Sequence, residues 1–377
     1  MVNRIIIGHV FLEGAAITNR TIGFAKGYRM YGKEVHLLLY TTQAKPDLTI
    51  EGVNIVCVPE FGIPVKFLRR ILSGIRFVRE IKKRYIHGSS AIHIRSTPWW
   101  GILFNRRKYD FFFERGEIPF FVDNGSLIFK LTEHIGNIES KRATGMLVQT
   151  EAIREYYLKH GVKNAEVINM FVDQDRFSVP KKAEGTRYIA YCGIICKNKD
   201  GVDDLIKAFA IVHKENPDYK LYLIGGFEPF YGDEEYLRGL IDSSGLTESI
   251  VITGKLKPEQ IPELLCGASI LALSRPRNRQ TMGGFPTKLG EYLCTGKPVV
   301  LTPVGEIGNY LQDKVNCIFA EPGNYEDFAE KLLWVVNNYD EAMKIGAAGK
   351  ALVDTVFSIP IESRKALSFI ERVAKGV

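Results

Sequence analysis

The chain has 377 residues, 46% of them hydrophobic and 25% charged, with a formal net charge of +7 at pH 7. That length exceeds a single hydrophobic core and suits two domains, and the composition is ordinary for a globular protein. No run of about 18 apolar residues is present to cross a membrane, and the opening MVNRIIIGHVFLEGAA lacks a signal peptide's long apolar core. A cytoplasmic protein is therefore expected, with a peripheral place on the inner membrane face as the variant.

In chain order, the first half alternates apolar strand-like runs with helical patterns. The runs are RIIIGHVF, VHLLLY, NIVCVP, AIHIRS, YDFFFE, GMLVQT and AEVINM. Near-continuous apolar runs are expected of parallel strands buried on both faces. Helical patterns fill residues 16–31 and 151–160. A further one, PVKFLRRILSGIRFVREIKKRYIH at 64–87, is dense in Lys and Arg, with Glu80 as its single acid. Its apolar residues recur at three and four, which defines an amphipathic helix. Two readings of it stand: a core-packed helix with a basic solvent face, or a helix on an anionic membrane surface. The first is preferred because no Trp flanks the helix.

After residue 177 comes the polar stretch SVPKKAEGT, and the alternation restarts with YIAYCG, YKLYLIGG, IVITG, ASILALS, PVVLT and NCIFAE. The repeat predicts a second doubly wound α/β sheet. Domains are placed at 1–176 and 177–355, with a terminal helical segment at 356–377. Two such domains imply a cleft, with ligands at the carboxyl ends of the strands.

The six cysteines include Cys57, Cys192, Cys294 and Cys317 in or beside apolar runs. Cys192 and Cys196 are four apart, yet no second Cys/His pair completes a zinc pattern, so free core thiols are expected. Asp173 and Asp175 form an acidic pair at the boundary, which is read as capping the linker rather than holding a metal. No metal site is predicted.

The loops after strands carry the chemistry. Gly14 follows the first run and opens a helix, but the GxGxxG of a dinucleotide site is missing. Lys199 and Gly201 precede a clean amphipathic pattern, a placement suited to a phosphate, with a solvated loop lysine as the alternative. GEYLCTGKP has one residue too many for a phosphate-binding P-loop, and Pro298 stands where a hydroxyl should be. The stretch GGFPTKLGEYLCTGKPVV, residues 283–300, carries the strongest signal. Gly283 and Gly284 allow close backbone approach, Phe285 follows, and Pro286 suits the first helical position. The helix start near Thr287 favours an anion. Glu291, on the face of Thr287 and Lys288, could accept hydrogen bonds from vicinal sugar hydroxyls. The alternative is a surface helix with a Lys288–Glu291 pair.

FPTKLGEYLCTGKPVV with TPVGEIGNYL, the linker INMFVDQDRF, YCGIICKNKDGVDDLIKAF and ITGKLKPEQIPELLCGASILALS together resemble the family-4 retaining glycosyltransferases of the GT-B fold. The resemblance covers nearly the whole chain. It implies two Rossmann-like domains, an amino-terminal acceptor side and a carboxyl-terminal nucleotide-sugar side, with a last helix crossing back to the first domain. It implies a UDP- or GDP-sugar donor, a saccharide or lipid-linked acceptor, retention at the anomeric carbon, and no cofactor. It points to surface polysaccharide or glycoconjugate synthesis; a nucleic-acid binder, suggested by the basic helix, is the least favoured reading because no aromatic-basic platform accompanies that helix.

By the same resemblance, Gly14, Gly193, Lys199, Gly254, Lys255 and residues 283–288 line the donor, and Glu291 holds the ribose. Lys199 matches the family's phosphate lysine, while Ile194 replaces its partner arginine. Gly283 stands where the first glutamate of the family's paired-glutamate motif belongs. Arg95 and Glu114 are the acceptor-side candidates, with Glu114 as the group taking the acceptor proton and a structural Glu114–Arg115 salt bridge as the alternative. A nucleotide-sugar epimerase and a non-catalytic sugar-nucleotide-binding relative remain the competing readings.

Overall fold

The computed structural model describes residues 2–42, 46–95, 100–117, 127–179 and 187–374, and gives residues 127–133 as backbone alone. The chain divides into two compact units, Met1–Phe171 with Ser358–Val377, and Val172–Phe357. These crossings fall at 171/172 and 357/358, where the sequence division used 176/177 and 355/356. Residues 180–186 of the polar stretch lie outside the described residues.

The first unit holds β1 (Arg4–Val10), β2 (Glu34–Thr41), β3 (Val53–Pro59), β4 (Ser90–Arg95), β5 (Phe111–Arg115), β6 (Gly145–Val148) and β7 (Ala165–Val167). Its helices are α1 (Ala16–Met30), α2 (Lys66–Arg84), α3 (Leu127–Arg142) and α4 (Glu151–Lys159). All seven strands run parallel in the order β3-β2-β1-β4-β5-β6-β7. Alternate side chains leave a strand on opposite faces, and here both faces are apolar. Ile5, Ile7, Leu37 and Phe112 pack under α1. Ile6, Leu38, Ile92 and Phe113 pack under Phe77, Val78 and Ile81 of α2. That double burial is why the strands read as unbroken apolar runs.

The second unit repeats the plan. Its strands are β8 (Tyr188–Cys192), β9 (Lys220–Ile224), β10 (Ile250–Ile252), β11 (Ile270–Leu273), β12 (Val299–Leu301) and β13 (Ile318–Phe319), in the order β10-β9-β8-β11-β12-β13 and all parallel. Its helices are α5 (Lys197–Asp200), α6 (Val202–Glu215), α7 (Glu234–Ser244), α8 (Gln260–Gly267), α9 (Arg279–Gly283), α10 (Lys288–Thr295), α11 (Tyr325–Asn337) and α12 (Tyr339–Thr355). Every strand read from the sequence forms. The order reverses between β1 and β4, and again between β8 and β11, which makes both sheets doubly wound.

The last helix, α13 (Ile359–Val373), belongs to the first unit and packs along α1. Ser358 caps it by accepting from Ile361 N–H, and Pro360 occupies its first turn. Glu362 is buried and accepts the backbone N–H of Asn169 at 2.7 Å. Gly23 and Gly27 let the two helices close: a Cβ on Gly27 would overlap Ser363, and one on Gly23 would overlap Phe171. Replacing Gly27 by Val should therefore push α13 off α1 and cost about 1–3 kcal/mol. Chemical denaturation of both proteins measures this, and an unchanged midpoint would contradict the packing.

Candidate functional site

In the second unit, the strand ends nearest the order reversal gather the polar groups. β8 ends at Cys192, whose N–H donates to Tyr292 OH at 2.7 Å. Gly193 follows with φ 149°. The amine of Lys288, from the start of α10, fills the space where a Gly193 side chain would stand. Gly225 closes β9 with φ 138°, and a Cβ there would overlap the Gly193 carbonyl. These two glycines are needed because the chain passes itself so closely.

Lys288 Nζ donates to Asp200 Oδ2 at 2.6 Å and to Tyr191 OH at 2.9 Å, and it stands 4.3 Å from the Tyr191 ring centroid. Tyr191 OH also lies 2.7 Å from Asp200 Oδ2. Arg275 Nε is 3.8 Å from Asp200 Oδ1. Burial works against ionising Asp200, but Lys288 and Arg275 outweigh it and hold the carboxyl below its ordinary range. Asp200 is only 3% exposed, whereas the Lys288 side chain keeps 16%. The cation is thus fixed from behind and open in front.

The sequence reading put both Lys199 and Lys288 on the donor side. The lysine set against Gly193 is Lys288. Lys199 sits half-buried in the short helix α5, with its carbonyl accepting from Arg275 Nε at 3.3 Å. The residue directly before Gly201 is the buried Asp200. The Lys288–Glu291 pair of the alternative reading is not found among the described residues, since each has another partner. Glu291 Oε1 accepts Arg176 Nη1 at 2.7 Å. Arg176, in the turn after Val172, also reaches the Pro258 carbonyl at 3.5 Å. It orients the Glu291 carboxylate, and sequence reasoning missed it because a lone arginine in a linker carries no pattern.

The glycine pair closes one helix and leads to the next. Gly283 ends α9, a short helix started by an Asn278–Thr281 capping box, and Gly284 follows in extended conformation. Pro286 is not the first helical residue. It precedes the cap residue Thr287, and its carbonyl accepts the N–H of Leu289 at 3.1 Å. Thr287 makes no side-chain cap bond. Phe285 is a core residue, with ring centroids 5.6 Å from Tyr310 and 5.8 Å from Phe357. Gly254 turns with φ 68° after β10, and Lys255 beside it is exposed. Ile194 is 37% exposed.

In the first unit, Gly14 turns with φ 70° between β1 and α1. His9, Arg95 and Glu114 stand side by side at the carboxyl ends of β1, β4 and β5. Glu114 is 1% exposed and pairs with both Arg95 and Arg20. His93 Nε2 lies 3.4 Å from its second oxygen, without hydrogen-bond alignment. His93 Nδ1 meets Tyr28 OH at 3.0 Å, and His9 Nε2 meets Thr18 Oγ1 at 3.0 Å. Burial, then Arg95, push His9 down to about 3, so it is neutral. Burial alone would raise the Glu114 pKa, but Arg95, Arg20 and His93 hold it well below the usual carboxylate range.

Such a carboxylate is a poor proton acceptor. Glu114 and Arg95, the acceptor-side candidates of the sequence, form the ion-paired centre of this unit. Arg20, which no motif signalled, ties that centre to the chain after β7 by donating to the carbonyls of Ile168 at 2.9 Å and Asn169 at 2.6 Å. Arg115 turns instead toward Glu139, at 3.9 Å.

Two doubly wound parallel sheets with the terminal helix returned to the first define the GT-B class of protein. The Anabaena protein HepE, solved in complex with UDP-glucose, has this fold, with a TM-score of 0.73 and 15% identity over 98% of this chain and 99% of that one. The family model of the glycosyl transferases group 1 matches residues 172–352, which lie in the second unit. The 2-deoxystreptamine glucosyltransferase of Streptomyces kanamyceticus is 25% identical over 52% of this chain, a match that spans about half (48%) of that relative. Mannosylfructose-phosphate synthase of Agrobacterium fabrum is 26% identical over 79% of this chain and 72% of that protein.

The Glu114 centre gives a pH test. Its folded pKa lies below the ordinary 4.5. Its contribution to stability is therefore present above about pH 4.5 and fades as pH falls toward the folded value. Glu114→Gln should lose about 3–5 kcal/mol at neutral pH, because two guanidiniums stay buried without their counter-charge. It should also flatten the acid decline. Thermal melts from neutral pH down to about pH 2 read both effects, and a variant as stable and as acid-sensitive as the parent would refute the assignment.

Proposed function

We propose that the protein transfers a sugar from a nucleotide-sugar donor, UDP- or GDP-linked, to a saccharide or lipid-linked acceptor with retention at the anomeric carbon. Surface polysaccharide or glycoconjugate synthesis is the setting this reading favours. The observation that carries it is the Gly193–Lys288–Asp200 cradle at the carboxyl ends of β8 and β9, in a unit that matches the glycosyl transferases group 1. The UDP-glucose held by HepE supports a nucleotide-sugar donor.

In this reading Lys288 and the start of α10 face the donor diphosphate. The bond between the anomeric carbon and the diphosphate oxygen breaks, and negative charge grows on the leaving group. A fixed ammonium and helix N–H groups stabilise that charge more than they stabilise the ground state. The acceptor oxygen forms the new bond to the anomeric carbon, and its proton passes to the departing phosphate. No side-chain base is required, which suits a chain whose Glu114 is locked between arginines. Glu291, held by Arg176 through one oxygen, offers the other to the ribose hydroxyls. In this reading Lys199, Gly254 and Lys255 are further donor-side contacts, and no metal or cofactor enters the scheme.

Thermal melting against UDP, GDP, ADP and their sugar conjugates tests this proposal. A ligand at about 100 times its dissociation constant adds roughly 2.7 kcal/mol. One nucleotide should raise the melt, and Lys288→Ala or Glu291→Ala should weaken its binding about 10- to 100-fold, the worth of one hydrogen bond to a charged group. Full affinity in both variants would remove the site assignment. No response to any nucleotide would favour a non-catalytic relative.

A further inference from the structure

Helix α2 is divided between two environments. Its later turns bury Phe77, Val78 and Ile81 against the sheet. Its earlier turns do not follow. Phe67 is 77% exposed, Leu68 45%, Ile75 40% and Leu72 37%, and Val65 just ahead of the helix is 60% exposed. The periodicity that predicted a core face is thus satisfied by the core only in part. Leu68, Leu72 and Ile75 project to solvent on the same side as Arg76, Arg79 and Lys83.

Beside them runs a shallow groove of about 380 Å³, lined by Phe61, Leu72 and Ile75 with Arg76, Arg79, Lys83 and Glu80 at its walls. Arg76 covers the Phe61 ring at 5.1 Å. Residues 66–84 hold eight Lys and Arg against the one acid, Glu80. Glu80 is already engaged by Lys83 at 2.6 Å and Arg84 at 2.9 Å. An apolar ridge inside a cationic field has one solvent that suits both parts. The apolar side chains enter the boundary between headgroups and acyl chains, and the long cationic stems reach the phosphates.

We propose that the amino-terminal half of α2, with the preceding Phe61–Val65 segment, docks on an anionic lipid bilayer. A two-fold contact between copies through this face would set Arg76, Arg79 and Lys83 against their own equivalents. A single-stranded nucleic acid would need successive aromatic rings to stack on; Arg76 already covers Phe61, Leu68, Leu72 and Ile75 offer no ring, and Phe67 alone makes no platform. Among the described residues no helix is long and apolar enough to cross a membrane, so the attachment is interfacial.

Vesicle flotation tests it without knowledge of donor or acceptor. The intact protein should float with phosphatidylcholine vesicles containing roughly 30% phosphatidylglycerol, fail to float with phosphatidylcholine alone, and be released by raised salt. Each cation near such a surface is worth about fivefold, so Arg76→Gln, Arg79→Gln and Lys83→Gln combined should weaken binding roughly a hundredfold. Phe67→Ser with Leu72→Ser should also weaken it at unchanged charge, which separates insertion from adsorption. A control with exposed Lys159, Lys214 and Lys344 changed to Gln removes the same charge elsewhere and should leave binding within about twofold. All variants change exposed positions, and their melting temperatures confirm folding. Absence of flotation, a control that falls as far as the groove variant, or an apolar variant that binds fully would overturn the proposal. So would lipid-free self-association abolished by the same groove substitutions.

Discussion

One buried carboxylate held by two cations organises the polar end of each sheet. In the first unit it is Glu114 between Arg20 and Arg95, and in the second it is Asp200 between Lys288 and Arg275. Parallel sheets covered on both faces leave few places for charge, and the carboxyl ends of the central strands are among them. Charge placed there must be paired, because an isolated buried ion costs far more than the fold can absorb. The rest of each site is arranged around that pairing.

The two pairings differ in what they leave over. Around Glu114 both cations are themselves buried, and Arg20 spends its remaining donors on the carbonyls of Ile168 and Asn169. The centre joins α1, β4, β5 and the chain after β7, and Glu362 of α13 then holds the same Asn169 from the other side. That is a structural closure. Around Asp200 the carboxylate is buried and Lys288 is the more open partner, placed at a glycine that makes room for it. A buried anion behind a partly open cation is a fixed positive charge, and this preorganisation suits it to a phosphate.

The sequence made the strands easy to read, because parallel strands buried on both faces cannot hide their composition. The ends of helices were less legible. Pro286 was a reasonable first helical residue by chemistry, yet Thr287 takes the cap and Pro286 stands outside it. A helical Lys288–Glu291 pair was the alternative that three-residue spacing permits. Their actual partners, Asp200 and Arg176, lie 88 and 115 positions away. Arg20 was invisible for the same reason: an arginine in an amphipathic helix reads as solvated until the strand that buries it is known. Spacing identifies which residues share a face and does not identify what that face meets.

Helix α2 shows the same limit from the opposite direction. Its apolar period is continuous from Phe67 to Ile81, so pattern alone predicts one core face along its length. The sheet covers only the later turns, and the earlier apolar residues stay exposed among arginines. A stretch of helix that the core does not need, and that still keeps large apolar side chains beside a dense positive charge, is consistent with an external apolar, anionic phase. The unit with the buried Arg–Glu centre would then meet the membrane by α2, and the unit with the open lysine would hold the nucleotide. In that arrangement an acceptor carried in the lipid layer and a donor free in water are each presented by a separate unit of the chain.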